Sequence, residues 1–229
     1  MMIENRPAHY IKIHERLIDE YGQPTWRQHL PPIDELVSTI LSQATSDTNR
    51  DKGFFALKER YATWKEVMEA PEKEIRETIY SAGLANQKAP RIQNCLQYVA
   101  DDPRGWGDDG DLSLDFLADL ALDDALIWLT KMKGVGPKTA AIIMLFAFNE
   151  PAFPVDTHVH RLTKRLGLIG PKVSANKAHD LLADIGEPET YYPFHLNIIR
   201  HGREICAARN PKCDQCFLTD LCLYYQENQ

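Results

Sequence analysis

Four cysteines near the C-terminus have the spacing of a metal centre. Six residues separate Cys206 from Cys213, two separate Cys213 from Cys216, and five separate Cys216 from Cys222. Structural zinc sites usually use two short pairs of cysteines, and only one short pair is present here. A single short pair between longer loops suits the wider perimeter of a 4Fe-4S cluster held by four thiolates. The spacing therefore favours one 4Fe-4S cluster, with zinc as the alternative.

A glycine-rich turn joins two helical patterns and carries a lysine just beyond it. Gly134 and Gly136 permit a tight turn around Val135 with exposed backbone N–H groups. Such groups beside a helix N-terminus can bind a phosphate of DNA, so the turn predicts a helix–hairpin–helix. Lys138 lies in the first turn of the second helix, where the helix dipole disfavours its charge. If it is also desolvated, it is a neutral amine that can act as a nucleophile; otherwise it is a surface lysine touching phosphate.

Asp156 directly precedes the next helical pattern, where a carboxylate is a favourable N-cap. The same carboxylate beside a nucleophilic lysine could stabilise an oxocarbenium-like sugar or hold the lysine and a water in place. His158 and His160 suggest a metal site, but residues two apart on a helix do not converge on one ion. We therefore expect Asp156 to combine a capping and a catalytic role, without a histidine-bound metal.

Charge is unevenly distributed along the chain. The 229 residues carry a net charge of −7, which taken alone argues against a nucleic-acid partner. Residues 101–124 hold nine aspartates and one arginine, so this segment accounts for more than the whole deficit. Residues 131–165, which include the glycine turn and Asp156, carry six basic and two acidic residues. We expect a basic surface at the hairpin, with the aspartates facing away from it.

The elements that position these residues are predicted to be helices. Apolar residues recur at helical spacing, and no segment alternates with period two, which predicts an all-α protein of about ten helices. The longest wholly apolar run, Ala140–Phe148, is too short for a membrane span, and the N-terminus lacks the pattern of a signal peptide. We expect an acidic surface loop at 101–112. Helices are predicted near 10–21, 36–44, 48–60, 72–81, 87–100, 113–120, 123–132, 137–148, 157–167, 174–185 and 193–206.

In this order, the motifs resemble those of the endonuclease III family, within the helix–hairpin–helix (HhH-GPD) superfamily of DNA glycosylases. The resemblance covers most of the chain and is carried by Leu41–Asp47, Gly83–Ala89, the hairpin, Val155–His158, His201–Arg203 and the four cysteines. It implies two helical subdomains that flank a DNA-binding cleft. One is a helical barrel with the helix–hairpin–helix at 26–150, and the other is a cluster domain formed by 1–25 and 151–229.

The resemblance also implies roles for individual residues. Lys138 matches the Schiff-base lysine of the family, and Asp156 matches its catalytic aspartate. Leu84 matches a wedge residue that enters the duplex. Arg209 and Lys212 match phosphate contacts in the loop between the first two cysteines.

One departure from the family pattern concerns the gap that a flipped base leaves behind. Family members often fill this gap with a glutamine, but an ungapped match places Ala44 there and Gln43 one residue earlier. Base preference is therefore open, and both residues are candidate DNA contacts. Met132 and Lys133 also replace the common Leu-Pro before the hairpin glycine, and the added charge could help phosphate binding.

The predicted function is excision of damaged bases, with oxidised pyrimidines as the expected lesions, through a lysine Schiff base and β-elimination. The alternatives are a monofunctional mismatch uracil/thymine or adenine glycosylase, and a non-catalytic iron–sulfur DNA-binding module. The expected partner is double-stranded DNA with damaged bases or abasic sites. We expect a monomer without a membrane partner, in the cytoplasm of a bacterium or archaeon and associated with its nucleoid.

Overall fold

A computed structural model describes residues 5–228 of the chain. Within this range the residues form helices and no strand, apart from an isolated bridge between Trp106 and Leu112. The all-α prediction is therefore confirmed. The α-helices are α1 (Arg6–Tyr21), α2 (Pro32–Ser42), α3 (Asp47–Arg60), α4 (Trp64–Glu69), α5 (Glu72–Thr78), α6 (Ala85–Asp101), α7 (Leu122–Thr130), α8 (Pro137–Phe148), α9 (Thr157–Arg165), α10 (Ala175–Ala183), α11 (Tyr191–Glu204) and α12 (Leu223–Glu227).

The chain divides into two compact units. One unit consists of Met1–Arg27 and Pro151–Gln229, and the other is Gln28–Glu150. The first boundary lies two residues beyond the position expected from the sequence, and the second lies at the expected position. Residues 1–4 and 229 of the expected segments lie outside the described residues.

A buried helix organises the unit Gln28–Glu150. Ten of the eleven residues of α2 are buried, and α2 packs against α3 and α8. The apolar run Ala140–Phe148 forms most of α8. A helix that is apolar on all sides is buried in a core, and most residues of α8 are buried. Helices α4 and α5 pack on α6, and α7 packs on α8. No helix in the described part of the chain is long and apolar enough to cross a membrane.

In the other unit, aromatic side chains join the N-terminal helix to the C-terminal segment. The rings of Tyr10 and Phe194 stack with centroids 4.5 Å apart, and Phe153 packs edge-on against Tyr191. The Tyr10 hydroxyl lies 2.7 Å from the Thr190 hydroxyl, which satisfies its polar end in the core. Helix α1 thereby packs against α11, although most of the chain separates them in sequence.

Short helices account for the differences from the predicted elements. The helices α4 and α12 were not predicted, and the helix expected at 113–120 is a 3-10 helix over Asp115–Asp119. Helix α4 has six residues, so it shows too few turns for a periodic signal. Its N-terminus also depends on a distant residue, because the Asp111 carboxylate accepts hydrogen bonds from the backbone N–H groups of Trp64 and Lys65.

The acidic segment contains two kinds of aspartate. Seven of the nine aspartates at 101–124 are exposed, as expected for a solvated surface. The other two, Asp102 and Asp111, are half-buried, and their carboxylates accept hydrogen bonds from other parts of the fold. Asp102 accepts hydrogen bonds from the Arg104 guanidinium and the Trp128 indole, and these bonds hold the pKa of its carboxyl well below the usual range.

Candidate active site and cluster loop

The predicted hairpin is the turn between α7 and α8. Gly134 has φ +98°, a conformation that favours glycine, and a Cβ there would lie 2.4 Å from the Arg91 side chain. Val135 is buried, and its N–H donates to the Met132 carbonyl at 3.0 Å, so it anchors the turn rather than facing outward. The N–H groups of Gly134 and Gly136 donate to no acceptor within residues 5–228. These two amides are therefore available for a phosphate oxygen.

Lys138 stands in the first turn of α8, two residues after the Gly136 cap. Its side chain is half-buried, while its neighbours Thr139 and Ala140 are buried in the core. Lys138 belongs to none of the ion pairs found within residues 5–228. Lys138 therefore follows the two glycine amides by two and four residues, at the N-terminus of α8.

The loop after α2 contacts the hairpin. The Gln43 side chain accepts a hydrogen bond from the Arg91 guanidinium and donates one to the Gly134 carbonyl at 3.4 Å. The next residue, Ala44, is exposed and has φ +51°. The structure thus brings together Gln43 and Gly134, two residues singled out from the sequence. It also adds Arg91, which no sequence motif indicated.

Leu84 is presented on a strained turn. It has φ +51° and is 49% exposed, directly after Gly83 and before α6. An exposed apolar side chain on a turn is the geometry required of a wedge. A buried lysine holds this turn, because the Lys88 ammonium donates to the Ala82 carbonyl at 2.8 Å and to the Leu41 carbonyl at 2.7 Å.

Asp156 caps α9, as predicted. Its Oδ1 accepts a hydrogen bond from the Val159 N–H at 2.7 Å, and its side chain is half-buried. The neighbouring His158 and His160 each contact other groups of the chain. His160 bonds to the Val173 carbonyl, and burial lowers the pKa of His158, whose ring faces Arg161.

The four cysteines lie in one loop with half-buried thiols. Burial, together with the neighbouring thiolates of Cys206, Cys213 and Cys222, raises the pKa of Cys216 to about 11, and the Leu218 N–H offsets part of this rise. Cys206, Cys213 and Cys222 thus each interact electrostatically with Cys216. No set of His, Cys, Asp or Glu side chains within residues 5–228 is arranged to hold a single metal ion. The spacing, with one short pair between two longer loops, fits a multi-iron cluster better than one zinc ion.

Side-chain nitrogens of neighbouring helices lie close to two of these sulfurs. The Arg165 guanidinium lies 3.1 Å from the Cys206 Sγ, and the His201 Nε2 lies 3.4 Å from the Cys216 Sγ. Arg161, four residues earlier on α9, donates to the carbonyls of Cys206 and Gly202. Such donors suit thiolate ligands, because hydrogen bonds to sulfur stabilise the charged form. The sequence showed α9 only as an amphipathic helix, so these roles were missed.

Arg209 and Lys212 are both exposed in the loop between Cys206 and Cys213. Asn210, with φ +49°, turns the chain between them, and the Lys212 N–H donates to the Ile205 carbonyl at 3.0 Å. The loop, which is closed by this backbone hydrogen bond, therefore exposes two positively charged side chains to solvent.

Family models match both parts of the chain. The HhH-GPD superfamily base excision DNA repair protein model matches residues 37–188, more than half of the chain. The iron-sulfur binding domain of endonuclease III matches residues 206–222, a range that begins and ends on predicted cluster cysteines.

Individual relatives agree with these matches. Endonuclease III of Thermotoga maritima is 32% identical over 89% of this chain and 88% of its own length. A non-covalent endonuclease III–DNA complex and a trapped endonuclease III–DNA covalent intermediate each have a TM-score of 0.81, 28% identity and coverage of 100% of this chain and 99% of theirs. The chain therefore belongs to the endonuclease III family of the HhH-GPD superfamily, and it is a base-excision-repair DNA glycosylase with one 4Fe-4S cluster.

Proposed function

We propose that this glycosylase removes oxidised pyrimidines from double-stranded DNA and then cleaves the strand through a lyase activity of its own. The observation that carries the proposal is Lys138, an amine at a helix N-terminus beside two free backbone amides. A monofunctional mismatch uracil/thymine or adenine glycosylase uses water as its nucleophile and needs no amine at this position. The relatives in DNA complexes support the same reading, since one of them is a covalent intermediate.

The damaged nucleotide first leaves the base stack, because its sugar cannot be reached inside the duplex. Leu84, on its exposed turn, enters the duplex as a wedge, and the loop of Gln43 and Ala44 approaches the vacated space. The amides of Gly134 and Gly136 bind a nearby phosphate. Val135 supports this contact by anchoring the turn.

The covalent chemistry then uses the Lys138 amine. The amine attacks C1′, the bond from C1′ to the base breaks, and the base leaves with the electron pair and gains a proton. Loss of a proton from the amine and opening of the sugar produce a Schiff base. Removal of a C2′ proton breaks the C3′–O bond, which nicks the strand 3′ to the lesion, and water then hydrolyses the imine. Asp156 stabilises the cationic sugar and accepts protons.

The cluster supports DNA binding rather than turnover. Cys206, Cys213, Cys216 and Cys222 would hold it, and the ordered loop would present Arg209 and Lys212 to the DNA backbone. We propose a monomer, since one chain carries the whole set of residues. Its substrate would place it at the nucleoid, in the cytoplasm of a bacterium or archaeon.

Borohydride trapping tests the lyase proposal. Wild-type protein and duplexes with an abasic site, thymine glycol, uracil or mismatched thymine are incubated with borohydride, which reduces a Schiff base to a stable adduct. The Lys138→Gln variant should lose trapping at least about a hundredfold while it retains DNA binding. The matched control is Lys131→Gln, which replaces an exposed lysine of the same hairpin and should leave trapping intact.

Two outcomes would contradict the proposal. An undiminished adduct in Lys138→Gln would assign the nucleophile to another residue. Base release by the wild type without any adduct would favour the monofunctional alternative. The absorption spectrum of the same sample reports whether the cluster is present in each variant.

A further inference from the structure

Both the oxygen and the nitrogen of the Gln43 side-chain amide form hydrogen bonds within the protein. Its Oε1 accepts from the Arg91 guanidinium, and its Nε2 donates to the Gly134 carbonyl at 3.4 Å. These partners lie 48 and 91 residues away in sequence, on α6 and in the hairpin. A side chain engaged in this way must break two hydrogen bonds before it can enter DNA.

The chemistry of the two partners requires a side chain between them that both accepts and donates a hydrogen bond. A guanidinium can only donate hydrogen bonds, and a backbone carbonyl can only accept them. A bridging side chain must therefore accept at one end and donate at the other, as a glutamine does. Glutamate would keep the bond to Arg91 and lose the bond to Gly134.

Arg91 also contacts the hairpin directly. A Cβ added at Gly134 would lie 2.4 Å from both the Cδ and the Nε of Arg91, so the arginine stem lies against the glycine backbone. One turn further along α6, the Cys95 thiol lies 3.9 Å from the Lys133 carbonyl. Helix α6 thus contacts the hairpin at both Arg91 and Cys95.

We propose that Gln43 and Arg91 are positioning residues that brace the phosphate-binding hairpin, and that Gln43 does not read the base opposite the lesion. The exposed Ala44, with φ +51°, is then the residue of this loop that approaches the duplex. Its methyl group cannot form the hydrogen bonds by which a glutamine distinguishes bases. The expected effect on DNA cleavage rests on the proposed lyase function, whereas the brace itself does not.

Hydrogen exchange in the DNA-free protein tests the brace itself. The amides of Met132 and Val135 bond to the Leu129 and Met132 carbonyls within the hairpin. Gln43→Ala and Arg91→Met should each accelerate exchange at these amides about fivefold, the effect of losing one hydrogen bond. Exchange in α10, in the other unit, should not change. Unchanged exchange at the hairpin in both variants would overturn the proposal.

Cleavage of preformed abasic duplexes tests the role in DNA. Single-turnover rates are compared for duplexes with each of the four opposite bases and for one with no opposite base. Gln43→Ala should lower the rate about tenfold, and the factor should be the same on every duplex. The double variant of Gln43→Ala with Arg91→Met should be no slower than the slower of the two single variants. Gln43→Glu should be less impaired than Gln43→Ala. A loss that depends on the opposite base would show that Gln43 enters the duplex, and multiplicative losses would show two independent roles.

The matched control is Gln97→Ala. This exposed glutamine lies on α6, the helix of Arg91, and its replacement should affect neither measurement. Thermal unfolding separates a loosened hairpin from a loss of the fold. If the wild type does not cleave abasic DNA at all, the lyase proposal fails, while hydrogen exchange still decides whether the brace exists.

Discussion

Lys88 has no carboxylate partner within residues 5–228, although it is almost completely buried, at 1% exposure. Burial lowers the pKa of its amine, and two backbone carbonyls stabilise the charge instead. One carbonyl, of Leu41, precedes the loop of Gln43 and Ala44. The other, of Ala82, precedes the turn that carries Leu84. A single side chain therefore fixes the starting points of both loops proposed to approach the vacated space in DNA.

Replacing Lys88 with methionine should destabilise the protein by about 1–3 kcal/mol, because it leaves buried carbonyls without donors. The same change should increase hydrogen exchange in residues 43–46 and 83–84. Urea unfolding and exchange mass spectrometry measure the two effects. Gln97→Ala on the same helix should change neither. A Lys88→Met variant as stable as the wild type would mean that water or a neighbouring group replaces the ammonium.

At the scale of elements, the two glycines of the hairpin have different tasks. Gly134 has positive φ and lies against Arg91, whereas an added Cβ at Gly136 would meet no atom within 4 Å. Gly134 is therefore required by the fold. The fold does not require glycine at position 136. We expect a glycine there because a side chain would stand between the backbone amide and a phosphate.

Alanine substitutions separate these tasks. Gly134→Ala should destabilise the protein by about 1–3 kcal/mol through backbone strain and the clash with Arg91. Gly136→Ala should change stability by less than about 0.5 kcal/mol and still weaken binding to abasic DNA. Thermal unfolding and a DNA titration at fixed salt measure the two properties. Equal stability losses in both variants would contradict this division.

At the scale of the whole molecule, half-buried histidines link stability to pH. Burial lowers the pKa of His14 and His179 below the ordinary value of 6.5, so both remain neutral in the folded chain at pH values where the unfolded chain takes up protons. The free energy of unfolding should therefore fall as the pH drops below about 6.5. The fall ends once the pH is below the folded-state pKa values.

The double variant with His14→Gln and His179→Gln should lose less stability between pH 7.5 and pH 5.5 than the wild type. Glutamine has no proton to take up, and at position 179 it can still donate to the Phe153 carbonyl, which lies 2.8 Å from the histidine Nδ1. Thermal unfolding at both pH values measures the difference. Identical pH dependence in the two proteins would assign the acid sensitivity to other groups.

Local patterns in the sequence determined the helical class, the hairpin and the cluster loop. Their residues are close in sequence, so spacing alone reports their geometry. The Asp156 cap and the turn of Gly134 and Gly136 are examples, because backbone chemistry within a few residues decides them. The net charge of −7 was a poor guide, since one segment of aspartates dominates it.

Only the tertiary structure decided which side chains hold these motifs in place. The Lys88 bond to Leu41 spans 47 residues, and the Gln43 bond to Gly134 spans 91. No spacing rule encodes contacts of that length, because they depend on how buried helices pack. From sequence alone, Gln43 was a candidate DNA contact, Arg91 had no indicated role, and Lys88 was only part of a family motif. Their roles follow from burial, which requires a hydrogen-bond partner for every polar group it removes from water.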